Sequence, residues 1–421
     1  MTGHEGLLWR SLREDPQVIC PYRRVGRVSL LVLVSAVGLG ALGCGERGVV
    51  DEDMLTAVPA WHVEEELRIG REDDPDHALV PVGGLAVTED GRVLVSQPQD
   101  RAIRVFDREG RFLQRLGRAG DGPGEFLRLG IIGVLGGTIW AVDCREVCFV
   151  QFFDDGGTWL DRIQTPRLER PFIGGQSYYP LPDGGMLAAA ASVGDIIETS
   201  HEQPWLRSDS DGAVVDTLPG RLSPGIVIIE NRVTLPDGRT VESPAGASHP
   251  FAARSWMGIA PDQSSLVRAQ ATPAEDDGSA AILLVRFTPD GDTVATGELS
   301  LPRRPIPPAV ADSALDAQVA RLAGPLGGEE RARRELTSRV SVPDYYPPLR
   351  SLVVTKEGGS WLALEGLAET RWLILDPYFD ALAVVELPPR FEPVVIEEDV
   401  LWGSELNEFD VPQVVRYRVV R

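Results

Sequence analysis

The sequence predicts an all-β fold: a six-bladed β-propeller of four-stranded antiparallel blades, closed by N- and C-terminal strands sharing the last blade, with a small helical insertion. Three observations predict it. Short apolar runs recur along the chain, separated by turns rich in Gly and Asp. Four such runs recur every 40 to 50 residues or so, roughly the period of a propeller blade. A lone strand-like run at Trp61–Gly70 has no partner beside it, and the final unit holds only three strands, so the two ends complete one sheet. A single sheet of this kind cannot bury both of its apolar faces, so the units must stack around an axis.

Composition fits a large β body. The 421 residues are 43% apolar and 25% charged, with a formal net charge of −22. The apolar share supports a substantial core. Gly and Pro are spread along the chain, as turns require, rather than clustered as in a disordered tract. Arg supplies every positive side-chain charge except Lys356, a skew that reads as codon composition. An acidic chain without a basic stripe excludes nucleic acid as a partner, because phosphate binding rests on clustered Lys and Arg.

Residues 1–43 read as a signal peptide of the lipoprotein type. Arg23, Arg24 and Arg27 precede the apolar stretch Val28–Leu42, which is short for a membrane span and ends in small residues. Ala41-Leu42-Gly43-Cys44 resembles the lipobox of bacterial lipoproteins. The resemblance implies lipidation of Cys44 and a place in the cell envelope, periplasmic or on the outer surface, with ordinary signal cleavage as the alternative. Residues 44–60 then read as an acidic, irregular tether, and residues 61–421 as the propeller.

The blades follow in order. The first uses Leu85–Val87, Val93–Val95, Ile103–Phe106 and Phe112–Leu116; Gly91 and Gly110 close its hairpins. The second uses Leu129–Val134, Thr138–Val142, Val147–Phe153 and Thr158–Ile163. The third is expected at Gln176–Leu181, Met186–Ala191, Pro204–Ser208 and Ala213–Leu218. An insertion at about 219–251 carries a small hairpin around Pro236-Asp237-Gly238. The fourth blade resumes at Trp256–Ala260, Leu266–Ala269, Ile282–Phe287 and Thr293–Leu299. A second insertion, at about 302–343, holds two helices, Val310–Leu322 and Glu329–Val340, split by Gly327-Gly328; it is expected to lie over one face of the ring. The fifth blade spans Leu349–Leu387 and the sixth Pro393–Val419.

The loop Leu116-Gly117-Arg118-Ala119-Gly120-Asp121-Gly122-Pro123-Gly124-Glu125-Phe126 resembles the G-x-x-G-x-G-P-G-E-F loop after the first blade of NHL-like, bacterial six-bladed β-propeller lipoproteins. Glu64–Gly70, Tyr345–Leu349 and the Asp410–Tyr417 ending agree with it. The resemblance implies the fold over about Trp61–Arg421 and says little about chemistry. Gly117, Gly120, Gly122, Pro123, Gly124, Glu125 and Phe126 read as a structural inter-blade crossover. The loop lacks the Lys-Ser/Thr of a phosphate-binding loop, and Glu125 is expected to accept hydrogen bonds from its backbone amides.

Catalytic patterns are missing. His62, His77, His201 and His249 are scattered singly, outside any zinc-binding spacing. No G-x-S-x-G elbow is present. Cys144 and Cys148 flank a turn and are expected to form a local disulfide in an oxidising compartment; a metal site or a redox pair is less well supported. Asp100, Asp143, Glu202 and Glu365, near strand ends, are candidates to gather at the channel mouth, or else are turn caps. Tyr178-Tyr179 and Tyr345-Tyr346 are candidates to line a binding surface. The expected function is an extracytoplasmic, lipid-anchored module that binds a peptide, glycan or protein, without nucleic acid and with no cofactor. The alternative is a metal-dependent hydrolase or lyase with a divalent cation in the channel, and a third reading makes the helices a docking element of an envelope complex.

Overall fold

The computed structural model describes residues 49–50, 57–71, 73–144, 147–166, 177–189, 201–223, 225–234, 237–242, 244–271, 279–365 and 370–421. The expected leader and Cys44 lie outside these residues.

Six four-stranded antiparallel sheets follow one another. Blade 1 runs from Gly84–Val87 through Val93–Gln97 and Ala102–Phe106 to Phe112–Leu116, each strand paired to the next. Blade 2 spans Leu129–Leu135 to Trp159–Gln164, blade 3 Tyr178–Pro180 to Val214–Ser223, and blade 4 Ser255–Ile259 to Thr293–Pro302. Blade 5 spans Leu349–Val354 to Ala381–Glu386. Blade 6 combines Phe391–Glu397, Val400–Leu406 and Pro412–Val420 with the N-terminal strand Ala60–Ile69.

One turn recurs in all six blades, between the third and fourth strands of blades 1 to 5 and between the second and third of blade 6. A residue with positive φ donates its amide to the carbonyl three residues back, at Gly110–Asp107, Gly157–Asp154, Gly212–Asp209, Gly291–Thr288, Phe379–Asp376 and Asp410–Asn407. The first residue of most of these turns also accepts backbone N–H groups on its side chain. Asp107 Oδ1 takes those of Glu109 and Arg111, and Asn407 Oδ1 takes those of Phe409 and Val411. The Asx side chain therefore fixes the turn locally before any blade meets its neighbour. In blade 5 a phenylalanine stands where glycine is usual: Phe379 takes φ 73° and is 5% exposed. Its ring lies where Gly297 of blade 4 leaves room, so burial offsets the strained backbone.

The core is six apolar layers, one at each blade junction. Ala86, Leu94 and Ile103 meet Ile132, Ile139 and Phe153 between blades 1 and 2. Trp140 and Val150 meet Tyr178 and Met186 between 2 and 3, and Trp205 and Leu218 meet Leu266 and Phe287 between 3 and 4. Further layers join blade 4 to 5, blade 5 to 6, and blade 6 back to blade 1, where Val395 and Trp402 meet Leu85 and Val93. An open array of six blades would have five such layers. The sixth closes the ring.

Closure is antiparallel, from His62 against Val420 to Ile69 against Val414, with a bulge between Glu65 and Leu67. Val414, Val415, Tyr417 and Val419 are buried beneath it. Ion pairs accompany this register: across the seam Arg418 reaches Glu64 at 2.6 Å and Arg416 reaches Glu66 at 3.1 Å, while Arg68 reaches Glu65 of its own strand at 2.6 Å and Glu405 at 3.4 Å. The Tyr417 hydroxyl donates to Glu405 at 3.0 Å.

The expected tether is not irregular throughout. Val49–Val50 adds in parallel to the outer strand of blade 4, at Glu298 and Leu299. Ala60 and Trp61 do the same on blade 5, at Val384 and Val385, before the strand crosses into blade 6. The N-terminal segment thus straps three consecutive blades along their outer edges.

The two insertions also differ from expectation. They build one subdomain together. The strand pair Ile226–Ile229 with Ala245–Ser248 meets helices α1 (Pro308–Leu326) and α2 (Glu329–Arg339), while the pair Arg232–Thr234 with Thr240–Glu242 extends beyond it with exposed side chains. Val227, Ile229, Ala245 and Ala247 share a buried core with Val319, Leu322, Leu326, Ala332 and Leu336. Asn231 locks the join: its Nδ2 donates to the Pro325 carbonyl at 2.6 Å, and its Oδ1 accepts from Arg331 at 3.0 Å. The helices bury their apolar side against the first of these pairs. Among the described residues, no helix is long and apolar enough to cross a membrane.

Candidate functional site

A cavity of about 480 Å³ runs along the ring axis. Its walls come from the first strands of blades 1, 2 and 6, with Tyr179 of blade 3 and turn residues of blades 4 and 5. Aliphatic residues of those strands, including Leu85, Ile132, Val134 and Val394, line it. At one end, the turns that join first to second strands converge. Blade 1 contributes Glu89, blade 4 Asp262 and Gln263, blade 5 Lys356, and blade 6 Glu397.

Lys356 is the single lysine of the chain. Its Nζ lies 3.3 Å from Glu397 Oε1, and its backbone N–H donates to the Ile396 carbonyl at 3.1 Å. Burial works against its charge. The Glu397 carboxylate, with those of Glu89 and Asp262 farther off, outweighs that and holds the ammonium above the ordinary lysine range. A lysine held charged at neutral pH is a fixed cation and hydrogen-bond donor rather than a nucleophile.

Two buried polar atoms on the cavity lining lack hydrogen-bond partners among the described residues: Gln263 Oε1 and Trp140 Nε1. Gln263 is 2% exposed and Trp140 1%. Buried polar atoms are paired in the great majority of cases, so the unpaired acceptor on blade 4 and the unpaired donor on blade 2, both in residues that line the cavity, are candidate ligand contacts. Trp140 packs edge-on to Tyr179 at 5.9 Å, and Tyr179 stacks on Trp205 at 5.5 Å, so three aromatic rings join blades 2 and 3 at this wall.

A second cavity, about 580 Å³, opens between blades 2 and 3 and shares Leu135, Gly136 and Asp262 with the first. Phe152, Ile163, Leu181 and Met186 line it, so it is an apolar groove leading from the charged end of the channel.

The acids singled out from sequence do not line the channel; each serves the scaffold. Asp143, 8% exposed, accepts the amides of Leu127 and Arg128 at 3.0 and 2.7 Å. Asp100 pairs with Arg104 at 3.1 Å, Glu202 with Arg268 at 3.2 Å, and Glu365 with Arg304 at 2.8 Å. Of the tyrosines, Tyr179 lines the channel, while Tyr178 is buried between blades 2 and 3. Tyr345 and Tyr346 lie under Arg303 and Arg304, beside the insertion. The residues missed were Glu89, Asp262, Gln263 and Glu397, and Lys356 was noticed but dismissed. The available signal was positional: four lie in the turn after a blade's first strand, and Glu397 ends the first strand of blade 6.

Cys144 and Cys148 are joined as a disulfide across the last paired position of their hairpin, with Cα atoms 4.0 Å apart. Among the described residues no three of His, Cys, Asp and Glu lie close enough to share a metal ion.

Hydrogen bonds from Gly122 and Arg118 to Glu125 hold the Gly117–Phe126 loop. Glu125 Oε2 accepts the Gly122 amide at 2.9 Å, and Oε1 accepts from Arg118 at 2.8 Å. Gly122 and Arg118 hold the Glu125 carboxyl below the usual range, led by the Gly122 amide. Gln151, 2% exposed, donates to the Glu125 carbonyl and accepts from Gly124 N and Trp159 Nε1.

Residues 76–179, covering blade 1, blade 2 and the first strand of blade 3, match a family model described as a 6-bladed beta-propeller. The chain is a six-bladed β-propeller. No curated protein matches it significantly. Among solved structures, the propeller is similar to a Bacteroides fragilis protein assigned as exported, at 13% identity and TM-score 0.47, covering 89% of this chain and 100% of that one. A member of the duf4221 family from Bacteroides vulgatus is 10% identical with TM-score 0.45, covering 86% and 99%. The aldose sugar dehydrogenase of Streptomyces coelicolor, in its PQQ-bound form, is 14% identical with TM-score 0.43, covering 85% and 98%.

Proposed function

We propose that this propeller is an extracytoplasmic, lipid-anchored binding module whose ligand enters the central channel at the Lys356 end. The observation that carries the proposal is the channel itself, with aliphatic walls, a few converging polar groups at one mouth, and buried unpaired atoms on its lining. The anchoring half of the proposal rests on the Cys44 sequence motif.

Val394 is 41% exposed and lines the channel. Val394→Trp should fill the lumen without disturbing a blade interface. A thermal-shift screen of small molecules is expected to give stabilising ligands for the parent protein whose shifts vanish in this variant. Ligands that stabilise both proteins equally would place the site elsewhere.

Cys44→Ser should move the protein from the membrane fraction to the soluble fraction. Persistence in the membrane fraction would mean that something other than a lipid on Cys44 holds it there.

A further inference from the structure

We propose that the channel ligand is a cationic amphiphile: an amine head at the carboxylate-bearing mouth, and an apolar chain in the groove between blades 2 and 3. The inference deepens the channel reading and rests on it.

Charge at the mouth is unbalanced. Glu89, Asp262 and Glu397 face a single cation, Lys356, and that cation is engaged by Glu397 at 3.3 Å. Asp262 Oδ1 accepts the Ser264 amide and hydroxyl at 3.0 and 2.7 Å, which leaves Oδ2 without a donor among the described residues. Glu89 has no ion pair among them. An acidic cluster of this kind could simply be solvated. The independent observation is Gln263, next in sequence to Asp262. Its amide nitrogen is used by the Pro261 carbonyl, while its oxygen is buried on the channel wall as an unpaired acceptor. An ammonium head supplies several N–H donors and no acceptor, which complements the Glu89 and Asp262 carboxylates, neither of which contacts Lys356 directly, and the Gln263 carbonyl oxygen. A carboxylate or phosphate head would find one cation, Lys356, already engaged by Glu397, and would meet the carboxylates of Glu89 and Asp262 beside it.

The rest of the ligand follows from continuity. The apolar groove begins at Asp262, where the head would sit, and continues over Leu181, Phe152, Ile163 and Met186. A polar tail would leave those side chains wet and gain nothing there. An alkyl or aryl chain covers them.

The test is isothermal titration of the soluble protein with three probes: octylammonium, octanoate and ethylammonium. Octylammonium is expected to bind saturably and at least tenfold more tightly than either of the others. Asp262→Asn should weaken octylammonium tenfold or more. Ile163→Gln, at a 39% exposed groove position, should weaken octylammonium several-fold and leave ethylammonium unchanged. Octanoate binding as tightly as octylammonium, lost in Val394→Trp, would overturn the amine assignment while leaving the channel as the site. Octylammonium binding that survives Val394→Trp and Asp262→Asn would remove the channel from consideration altogether. Absence of heat with all three probes, while screened ligands still depend on an open lumen, would also overturn the amphiphile class.

Discussion

Val415→Asp is expected to lower the unfolding free energy by more than about 4 kcal/mol, and to do so for the whole ring at once. Val415 is 0% exposed and sits in the layer between blades 5 and 6. Its strand is paired on both sides, with Val400–Leu406 and with the N-terminal strand. Losing its burial forfeits roughly 2 kcal/mol, and an unpaired carboxylate in that layer adds a desolvation cost at least as large. Val415→Ala keeps the strand apolar and should cost roughly 2 kcal/mol. Val214→Asp, at a 50% exposed position on the outer strand of blade 3, should change stability by less than about 0.5 kcal/mol. Urea unfolding followed by tryptophan fluorescence and by far-UV dichroism checks the claim. Two separated transitions in Val415→Asp, with five blades persisting, would show that the shared blade does not hold the ring.

The same seam carries a pH dependence. The hydrogen bond from Arg68 depresses the Glu65 pKa, and burial only partly opposes it. A depressed carboxylate stabilises the fold above its ordinary value near 4.5 and loses that contribution as pH falls through its folded-state value. The difference between the parent and Glu65→Gln should therefore be constant from neutral pH to about pH 5 and shrink below that.

Gly117→Ala is expected to cost about 2–5 kcal/mol. The position has φ 76°, which an L residue adopts at a cost of roughly 1–2 kcal/mol. A Cβ there would also lie 2.2 Å from the ring of Phe126, which is fully buried between blades 1 and 2. Overpacking of that kind adds about 1–3 kcal/mol. Gly212→Ala separates the two contributions, since Gly212 has φ 81° and open space around its would-be Cβ. Its loss should be confined to the conformational part. Equal losses at the two positions, measured by denaturant titration, would mean that Phe126 does not need the room glycine leaves.

The blades were legible because their turns are chemically local. Asp107-Arg108-Glu109-Gly110 and its counterparts announce themselves through side chains that bond their own backbone, whatever the ring does. Phe379 was not legible as a turn residue, because what stabilises its positive φ is Gly297, on another blade. The fused insertion escaped for the same reason: Val227 and Leu322 are each unremarkable amphipathic positions until the fold brings them together. Val49–Val50 left no pattern at all, since parallel addition to an edge is made by backbone groups. The channel mouth was the hardest part. Positions 89, 262, 356 and 397 are linked only by lying at or just after the end of a first strand, and the acids chosen instead sat at other strand ends, where Arg partners and backbone amides were waiting for them.

The strap along blades 4, 5 and 6 sets the order of events during synthesis. The strand Ala60–Ile69 is made early, yet Arg68 must wait for Gln413, 345 residues later, before its sheet exists. Bringing two such distant points together costs about 5 kcal/mol in chain entropy. Until then a nascent chain exposes two raw sheet margins capable of capturing each other's copies. Ribosomal stalling, or a protease cut within blade 6, would leave a sticky crescent in need of a holdase.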